Sequence, residues 1–316
     1  MKAVVIGGSG HVGTYLVPDL VEAGYEVVSV SRSKREPYQP HLAWNSVERI
    51  TIDRKVAEEA GDFGKQIADL KPDVIVDMIC FTPDSARQLV DAVKGKVSHF
   101  LHAGTVWTHG QSRVVQTTEA TAKMPFGDYG INKAAIEAYL LKEAKVNGFP
   151  ATIFQPGHIV GPGWRIVNPQ GNFNPEIFQA LQKGETVTIP HFGMETVHHI
   201  HASDLVLIVM KSLEHWSAAV GESFHAVSDA AVTLCGYGES MAAWFGQEAN
   251  LEFLPWVEWE AGVSEADSRA TREHIGRSPN CSIEKAKRLI DWHPRYSSLQ
   301  ACQESVTWMM GNALAI

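Results

Sequence analysis

Tyr129 and Lys133, in the run Tyr129-Gly130-Ile131-Asn132-Lys133, stand four residues apart ahead of the helix-forming stretch Ala134-Ala135-Ile136-Glu137-Ala138-Tyr139-Leu140-Leu141. On a helix that spacing stacks the phenol and the ammonium on one face. A free tyrosine ionises near pH ~10, about three units too high for proton transfer at neutral pH, and a cation held close lowers that value. Lys133 is the expected cation. Tyr129 then becomes a candidate general acid or base at a hydroxyl or carbonyl carbon, provided a hydride acceptor lies alongside. A Y-x-x-x-K match by itself also fits an ordinary helix surface, so the acceptor has to be found elsewhere in the chain.

The start of the chain offers a place for one. Lys2-Ala3-Val4-Val5-Ile6 is a β-branched apolar run that ends in Gly7-Gly8-Ser9-Gly10-His11-Val12-Gly13, and apolar residues from Tyr15 to Val21 then recur at helical spacing as far as Gly24. A strand, a glycine loop and a helix let the backbone approach a pyrophosphate, and the first helical turn offers unpaired N–H groups and a partial positive charge. The glycines fall in a G-x-x-G-x-x-G pattern, and Gly7, Ser9, Gly10, His11, Val12 and Gly13 are the candidate contacts. The next strand, Glu26-Val27-Val28-Ser29-Val30, runs into Ser31-Arg32-Ser33-Lys34-Arg35. NAD enzymes carry a carboxylate at this point for the ribose 2′-hydroxyl, whereas a 2′-phosphate needs cations. None of these five residues is acidic and three are basic, which favours NADP over NAD with Arg32 as the lead contact. Asp53, after the strand Val47 to Ile52, is placed to accept from the adenine amino group.

Helical residues around Phe63 to Ala68, a strand from Pro72 to Asp77, a helix from Pro83 to Val93 and a strand from Val97 to Ala103 continue the alternation. That cadence predicts an α/β fold, a Rossmann-type doubly wound parallel sheet. The strand ending at Ala103 delivers Gly104-Thr105-Val106-Trp107 at its carboxyl end, where such sheets place their ligands. Thr105 lies 24 residues before Tyr129, and its hydroxyl could hold a substrate oxygen while the tyrosine exchanges the proton. Threonine at a strand end is equally an ordinary packing residue.

Taken together, the three glycines, Thr105-Tyr129-Lys133 and Gln155-Pro156-Gly157-His158-Ile159-Val160-Gly161-Pro162-Gly163 resemble the extended short-chain dehydrogenase/reductase family, the NAD-dependent epimerase/dehydratase group. His198-His199-Ile200-His201-Ala202-Ser203-Asp204-Leu205 is similar to that family's "(Y/F)-I-H-V-x-D-(L/V)" segment, and Ser282 to Pro294 to its "S-x-x-K-A-x-x-x-L-G-W-x-P" segment. The resemblance implies a dinucleotide-binding Rossmann domain at 1–163, to which 197–228 returns, and a smaller C-terminal substrate-binding α/β domain at 164–196 and 229–316. It implies that Thr105 polarises the substrate oxygen, that Tyr129 is the acid/base, and that Lys133 binds the nicotinamide ribose and depresses the tyrosine pKa. Pro156 and His158 would flank the nicotinamide, and Trp107, His109, Arg165 and Asn172 are the candidate substrate contacts. Trp107 and Trp164 could floor a sugar ring, although core packing explains each tryptophan as well. The implied activity moves hydride between nicotinamide and a carbinol carbon of a sugar, sugar acid or nucleotide-sugar-like substrate, with net epimerisation or net oxidation or reduction both open. Val197 stands where many members put a phosphate-binding arginine, and this points toward a substrate without a sugar diphosphate. The stretch after the fourth strand leaves room for only a short helix where members build a homodimer interface.

A chain of 316 residues, 45% hydrophobic, is long enough to build its own core. Its 27 basic and 36 acidic residues give a net charge of −9, which argues against nucleic acid as the main partner. Four cysteines without C-x-x-C spacing suggest reduced thiols. No run approaches ~20 apolar residues, and the apolar start is consumed by a strand. The expectation is a soluble, cytoplasmic protein with no membrane partner. His199 and His201 would share one face of a strand, but a zinc site needs more ligands than that pair, so no metal is expected. The competing class is a non-catalytic NAD(P)- or RNA-binding relative of the same fold, such as the chloroplast stem-loop binding proteins.

Overall fold

The β-branched runs become strands: β1 (Lys2–Ile6), β2 (Glu26–Ser31), β3 (Glu48–Thr51), β4 (Val74–Asp77), β5 (His99–Ala103) and β6 (Ala151–Pro156). In the computed structural model, which describes residues 1–33 and 35–312, they join a seventh strand, Ser223–Ala226, in one sheet. Its order is Ser223–Ala226, β6, β5, β4, β1, β2, β3. Every pairing is parallel. The order reverses at β1 and β4, and ligands in doubly wound sheets bind beyond the strand ends at that reversal.

Alternation along β1 divides the core. Ala3 and Val5 face a cluster with Leu16, Val17, Leu205 and Val209, while Val4 and Ile6 face Phe63, Leu89, Val90, Ile136 and Leu140. Helices α1 (Gly13–Glu22) and Ala202–Glu214 cover the first face. Helices α3 (Phe63–Asp69), α4 (Pro83–Val93) and α5 (Gly127–Asn147) cover the second, with the short α2 (Arg54–Glu59) preceding them. Thr82 caps α4 by accepting from the Ser85 N–H at 3.3 Å, and Pro83 occupies the first turn. The helix runs 11 residues, as short as the sequence spacing requires.

A third apolar cluster gathers Val160, Phe178, Leu181, Ile189, Tyr237, Met241 and Val306. It carries small sheets of its own. Val187–Pro190 pairs with Leu251–Leu254, and His158–Val160 pairs with His199–His201, both in parallel. His198 is spent on structure: Nε2 lies 2.8 Å from the Ser228 carbonyl and Nδ1 accepts from the Cys281 N–H. No described helix is long and apolar enough to cross a membrane.

Candidate active site

Three elements converge on Tyr129. β5 ends at Ala103, and Thr105 starts a short 3-10 turn, Val106–His109, its hydroxyl accepting from the Trp107 N–H at 3.3 Å. α5 begins two residues before Tyr129 at Gly127, whose φ of +70° suits glycine. One turn into α5, Lys133 is buried at 2% exposure and its Nζ donates to the Ala103 carbonyl at 2.6 Å. The helix thus carries tyrosine and lysine on one face, with the lysine pinned to the strand that ends in Thr105.

The electrostatics differ from the expectation in one respect. Tyr129 keeps 41% of its surface exposed, yet burial around the phenol raises its pKa, and the Thr105 hydroxyl, donating to the phenolic oxygen, pulls it partly back. Lys133 does not depress the tyrosine here. Its ammonium lies 6.0 Å from the Tyr129 ring centroid and 5.2 Å from that of Phe81, and burial brings its own pKa down to about 8. At neutral pH the phenol of the free protein therefore holds its proton.

The glycine loop lies at the start of α1. Gly7, at φ +93°, donates its N–H to the Val30 carbonyl, and Gly10 donates to Gly7. A Cβ on Gly13 would sit 2.0 Å from the Gly8 carbonyl oxygen, so only glycine lets α1 approach β1 this closely. No side chain caps α1 and no acidic residue stands in its first turn. Among the described residues, the backbone N–H groups of Ser9, His11 and Val12 have no hydrogen-bond partner. Free amides at an uncapped helix start are what a dinucleotide pyrophosphate requires, so the loop fits the cofactor.

The other cofactor candidates are spread around this loop. Arg32 is exposed at the end of β2, with no ion-pair partner among the described residues. Ser31 donates to the Ser33 carbonyl at 2.8 Å, and Arg35 stacks on Tyr38 at 4.3 Å. Lys34 lies outside the described residues. Asp53 is exposed and caps α2, accepting from the Val56 N–H at 3.2 Å. Pro156 closes β6, opposite Ala226. His158 packs edge-on to His199 and His274 with Nε2 buried and unpartnered, and burial holds its pKa well below the usual histidine range.

Of the substrate candidates, Trp107 comes to the site, edge-on to Tyr129 with ring centroids 5.8 Å apart. Arg165 lies over Phe173 at 4.7 Å, and Phe173 packs on His158. His109 turns away: it is 5% exposed and its Nε2 shares a proton with His225 Nε2 at 2.9 Å. Asn172 is fully buried, with its amide donating to Gln170 and Thr271 and its oxygen accepting from Asn168 and the Asn174 N–H. The sequence makes both of them candidate substrate contacts, but both are buried: Asn172 has its amide and its oxygen engaged, and in His109 Nδ1 alone is left without a partner among the described residues. Trp164, the other candidate floor for a sugar ring, lies away from Tyr129 in this structure. It stacks on His11 at 5.0 Å with the rings 4° apart, over the glycine loop.

Other side chains shape the site without any local sequence signal. Arg277 is 1% exposed, lies 3.8 Å above Trp107 and 3.9 Å above Phe126, and donates to Glu273 and to the Phe126 carbonyl at 2.8 Å. Beyond Gly276 opens a cavity of about 260 Å³ lined by His191, Glu195, Trp256, Arg272 and Ile275. Arg272 is held there by Glu260 at 3.0 Å. Val197 is buried at 3% and presents no charge.

The chain is similar in sequence and in fold to several known proteins. The 2′-dehydrokanamycin reductase of Streptomyces kanamyceticus is 32% identical over 137 residues, a match covering 43% of this chain and 37% of that protein. The chloroplast stem-loop binding protein of 41 kDa b of Arabidopsis thaliana is 22% identical over 316 residues, covering 96% of this chain and 78% of that one. In fold, the UDP-glucose 4-epimerase of Thermotoga maritima, solved with UDP-glucose, superposes with a TM-score of 0.75 at 19% identity, covering 99% of both chains. The sequence profile of the NAD dependent epimerase/dehydratase family matches residues 3–226, from β1 through the seventh strand of the sheet, and the chain belongs to that family.

Proposed function

We propose that this protein is an NAD(P)-dependent oxidoreductase or epimerase acting at a carbinol carbon of a carbohydrate-like substrate, with Tyr129 as its proton-transfer group. The observation that carries this function is the phenol of Tyr129 facing the Thr105 hydroxyl, with Lys133 fixed behind it on the Ala103 carbonyl. The glycine loop would hold the pyrophosphate on the Ser9, His11 and Val12 amides, and Lys133, Pro156 and His158 would border the nicotinamide ribose and ring. The nicotinamide, when bound, supplies the hydride acceptor or donor. Thr105 holds the substrate oxygen, and Tyr129 Oη takes or returns the hydroxyl proton. Residues 1–163 with 197–228 form the cofactor side, and 164–196 with 229–316 the substrate side.

The substrate class follows from the cations. With valine at 197, Arg272 tied to Glu260 and Arg165 over Phe173, no arginine near the cleft is left uncompensated for a diphosphate except Arg165. A free sugar, sugar acid or aminoglycoside-like polyol fits better, in line with the reductase relative named above. Incubation with free sugars, sugar acids and nucleotide sugars, followed by reduced-nicotinamide absorbance and by NMR of product stereochemistry, is expected to show turnover with the first classes. The raised tyrosine pKa and the stem-loop binding relative favour one rival, a binding protein without catalysis. Dinucleotide binding with no turnover across that panel would establish it.

Arg32 decides the coenzyme. An exposed guanidinium with no carboxylate beside it on β2 favours NADP, because a charge-assisted contact to the 2′-phosphate contributes about 1.5–3 kcal/mol. Titration by tryptophan quenching should show NADP binding roughly ten- to a hundredfold tighter than NAD. Arg32→Ala should erase the difference, and equal affinities in the parent protein would remove the preference.

A further inference from the structure

Beneath the catalytic lysine lies a set of buried charges that the reaction as described does not use. Asp77 ends β4 with no exposed surface, and Arg54, at 8% exposure, donates to its Oδ1 at 2.7 Å. Arg54 also donates to Glu58 at 2.6 Å, and Glu58 accepts from the Ser85 hydroxyl. In the parallel register Asp77 is the partner of His102 on β5, immediately before the Ala103 carbonyl that holds Lys133. Asp77 Oδ2, Arg54 Nη2 and both ring nitrogens of His102 have no partner among the described residues. These polar groups are enclosed within an apolar layer.

The formal charges of the set explain why it is tolerated. Lys133 is a buried cation that makes no ion pair among the described residues, and its one hydrogen bond goes to a carbonyl. A buried charge without compensation is strongly unfavourable. Lys133 and Arg54 contribute two positive charges, Asp77 and Glu58 two negative ones, and the sum is zero. The other groups facing the lysine carry no charge that could replace Asp77. Burial pushes the Cys80 thiol up to about 11 and holds His102 well below the usual histidine range, and the Tyr129 phenol is raised. Burial is also the main influence on Lys133; Cys80 would help keep its proton on only as a thiolate, which it is not where the lysine titrates, so Asp77 acts to keep the proton on and Arg54 acts against it.

We propose that Asp77 is a positioning residue for the reaction: paired with Arg54 beneath β5, it supplies the counter-charge that keeps Lys133 an ammonium ion behind Tyr129. This inference rests on the function proposed above. Sequence spacing gives no hint of it, because Asp77 and Arg54 are 23 residues apart and meet only through the β3 and β4 crossover.

The test compares Asp77→Asn, Arg54→Met and the double variant in the full-length protein. Where turnover depends on the ammonium, its rate falls as pH rises through the lysine pKa. Asp77→Asn should move that fall to lower pH by about one unit, Arg54→Met should move it to higher pH, and the double variant should return it toward the parent. A role limited to packing predicts slower or less stable variants with the limb unmoved. A second readout needs no activity. A lysine whose folded pKa is depressed binds fewer protons folded than unfolded between that value and the ordinary 10.5, so stability rises with pH across the window. In the parent this contribution starts near pH 8. Above about pH 9 it is opposed by the buried thiols of Cys80, Cys281 and Cys302, whose raised pKa values make stability fall as pH rises, so the lysine is read from a difference between variants. In the difference curve for Asp77→Asn, measured by denaturant unfolding of the dinucleotide-free protein, the lysine contribution should start about one unit lower. Unmoved limbs and unmoved onsets overturn the inference, and if Asp77→Asn does not fold, an unmoved Arg54→Met does so. A shifted onset in a protein that turns over no substrate overturns the activity instead and leaves the charge coupling standing.

Discussion

Tyr129→Phe is expected to lower turnover by roughly 10²- to 10⁴-fold, the usual contribution of a positioned acid/base group, while dinucleotide affinity stays within about twofold of the parent. The change removes one oxygen from a side chain that is 41% exposed and edge-on to Trp107, so packing should scarcely respond. Lys133 keeps its hold on the Ala103 carbonyl, and the glycine loop is untouched. The direction of the reaction bears on the pH profile. Because burial raises the phenol pKa, the protonated form dominates at neutral pH. Tyr129 is then poised to donate a proton, as carbonyl reduction requires, whereas alcohol oxidation needs the phenolate and should speed up as pH rises. Steady-state rates in both directions and fluorescence titration of the coenzyme check the expectation together. A Tyr129→Phe variant retaining more than about a tenth of parental turnover would take the proton transfer away from this residue.

What the sequence makes legible here is local. β1, the glycine loop and α1 are contiguous, and their chemistry follows from which residues lack a Cβ and which face one side of a helix. The Tyr129–Lys133 pairing needs only a helix, and Thr105 only the end of a strand. Contacts made by distant segments are not legible in this way. His109 Nε2 meets His225 and the Asn172 amide meets Thr271 across 116 and 99 residues, so spacing along the chain carries no sign of either contact. Trp164 reads as a ring for a sugar, but Gly161 and Gly163 turn the chain back over the glycine loop, where it finds His11. Arg277 reaches the Phe126 carbonyl across 151 residues. The expected lowering of the tyrosine pKa fails for a related reason. Helical spacing brings the ammonium near the ring, but a strand carbonyl that no periodicity reveals binds it first.

The second large effect concerns stability. Asp204→Ala is expected to cost about 3–5 kcal/mol, the range for removing one partner from a buried charged network. Asp204 has no exposed surface, and one carboxylate oxygen accepts the backbone N–H groups of Arg295 and Tyr296, both at 2.9 Å, while the other accepts Arg295 Nε at 2.9 Å. Its main-chain carbonyl accepts the indole N–H of the fully buried Trp292 at 3.0 Å. The Arg295 side chain is 57% exposed, so that salt bridge contributes little, and the loss comes chiefly from two backbone donors left without an acceptor. This explains why two separate sequence signatures occur together. The His198–Leu205 segment and the Ser282–Pro294 segment read as independent matches, but the aspartate of the first is the docking point for the residues at and just beyond the end of the second. Tyr296 then stacks on His201 at 4.2 Å, and His201 meets Tyr15 of α1, so the same anchor ties the C-terminal segment to the helix that begins at the cofactor loop. Asp204→Asn keeps one acceptor oxygen and should cost about half as much, while Arg295→Ala should cost under about 1 kcal/mol. Urea unfolding of the three variants separates these cases. Equal losses for Asp204→Ala and Arg295→Ala would mean that the ion pair, and not the backbone docking, holds the segment in place.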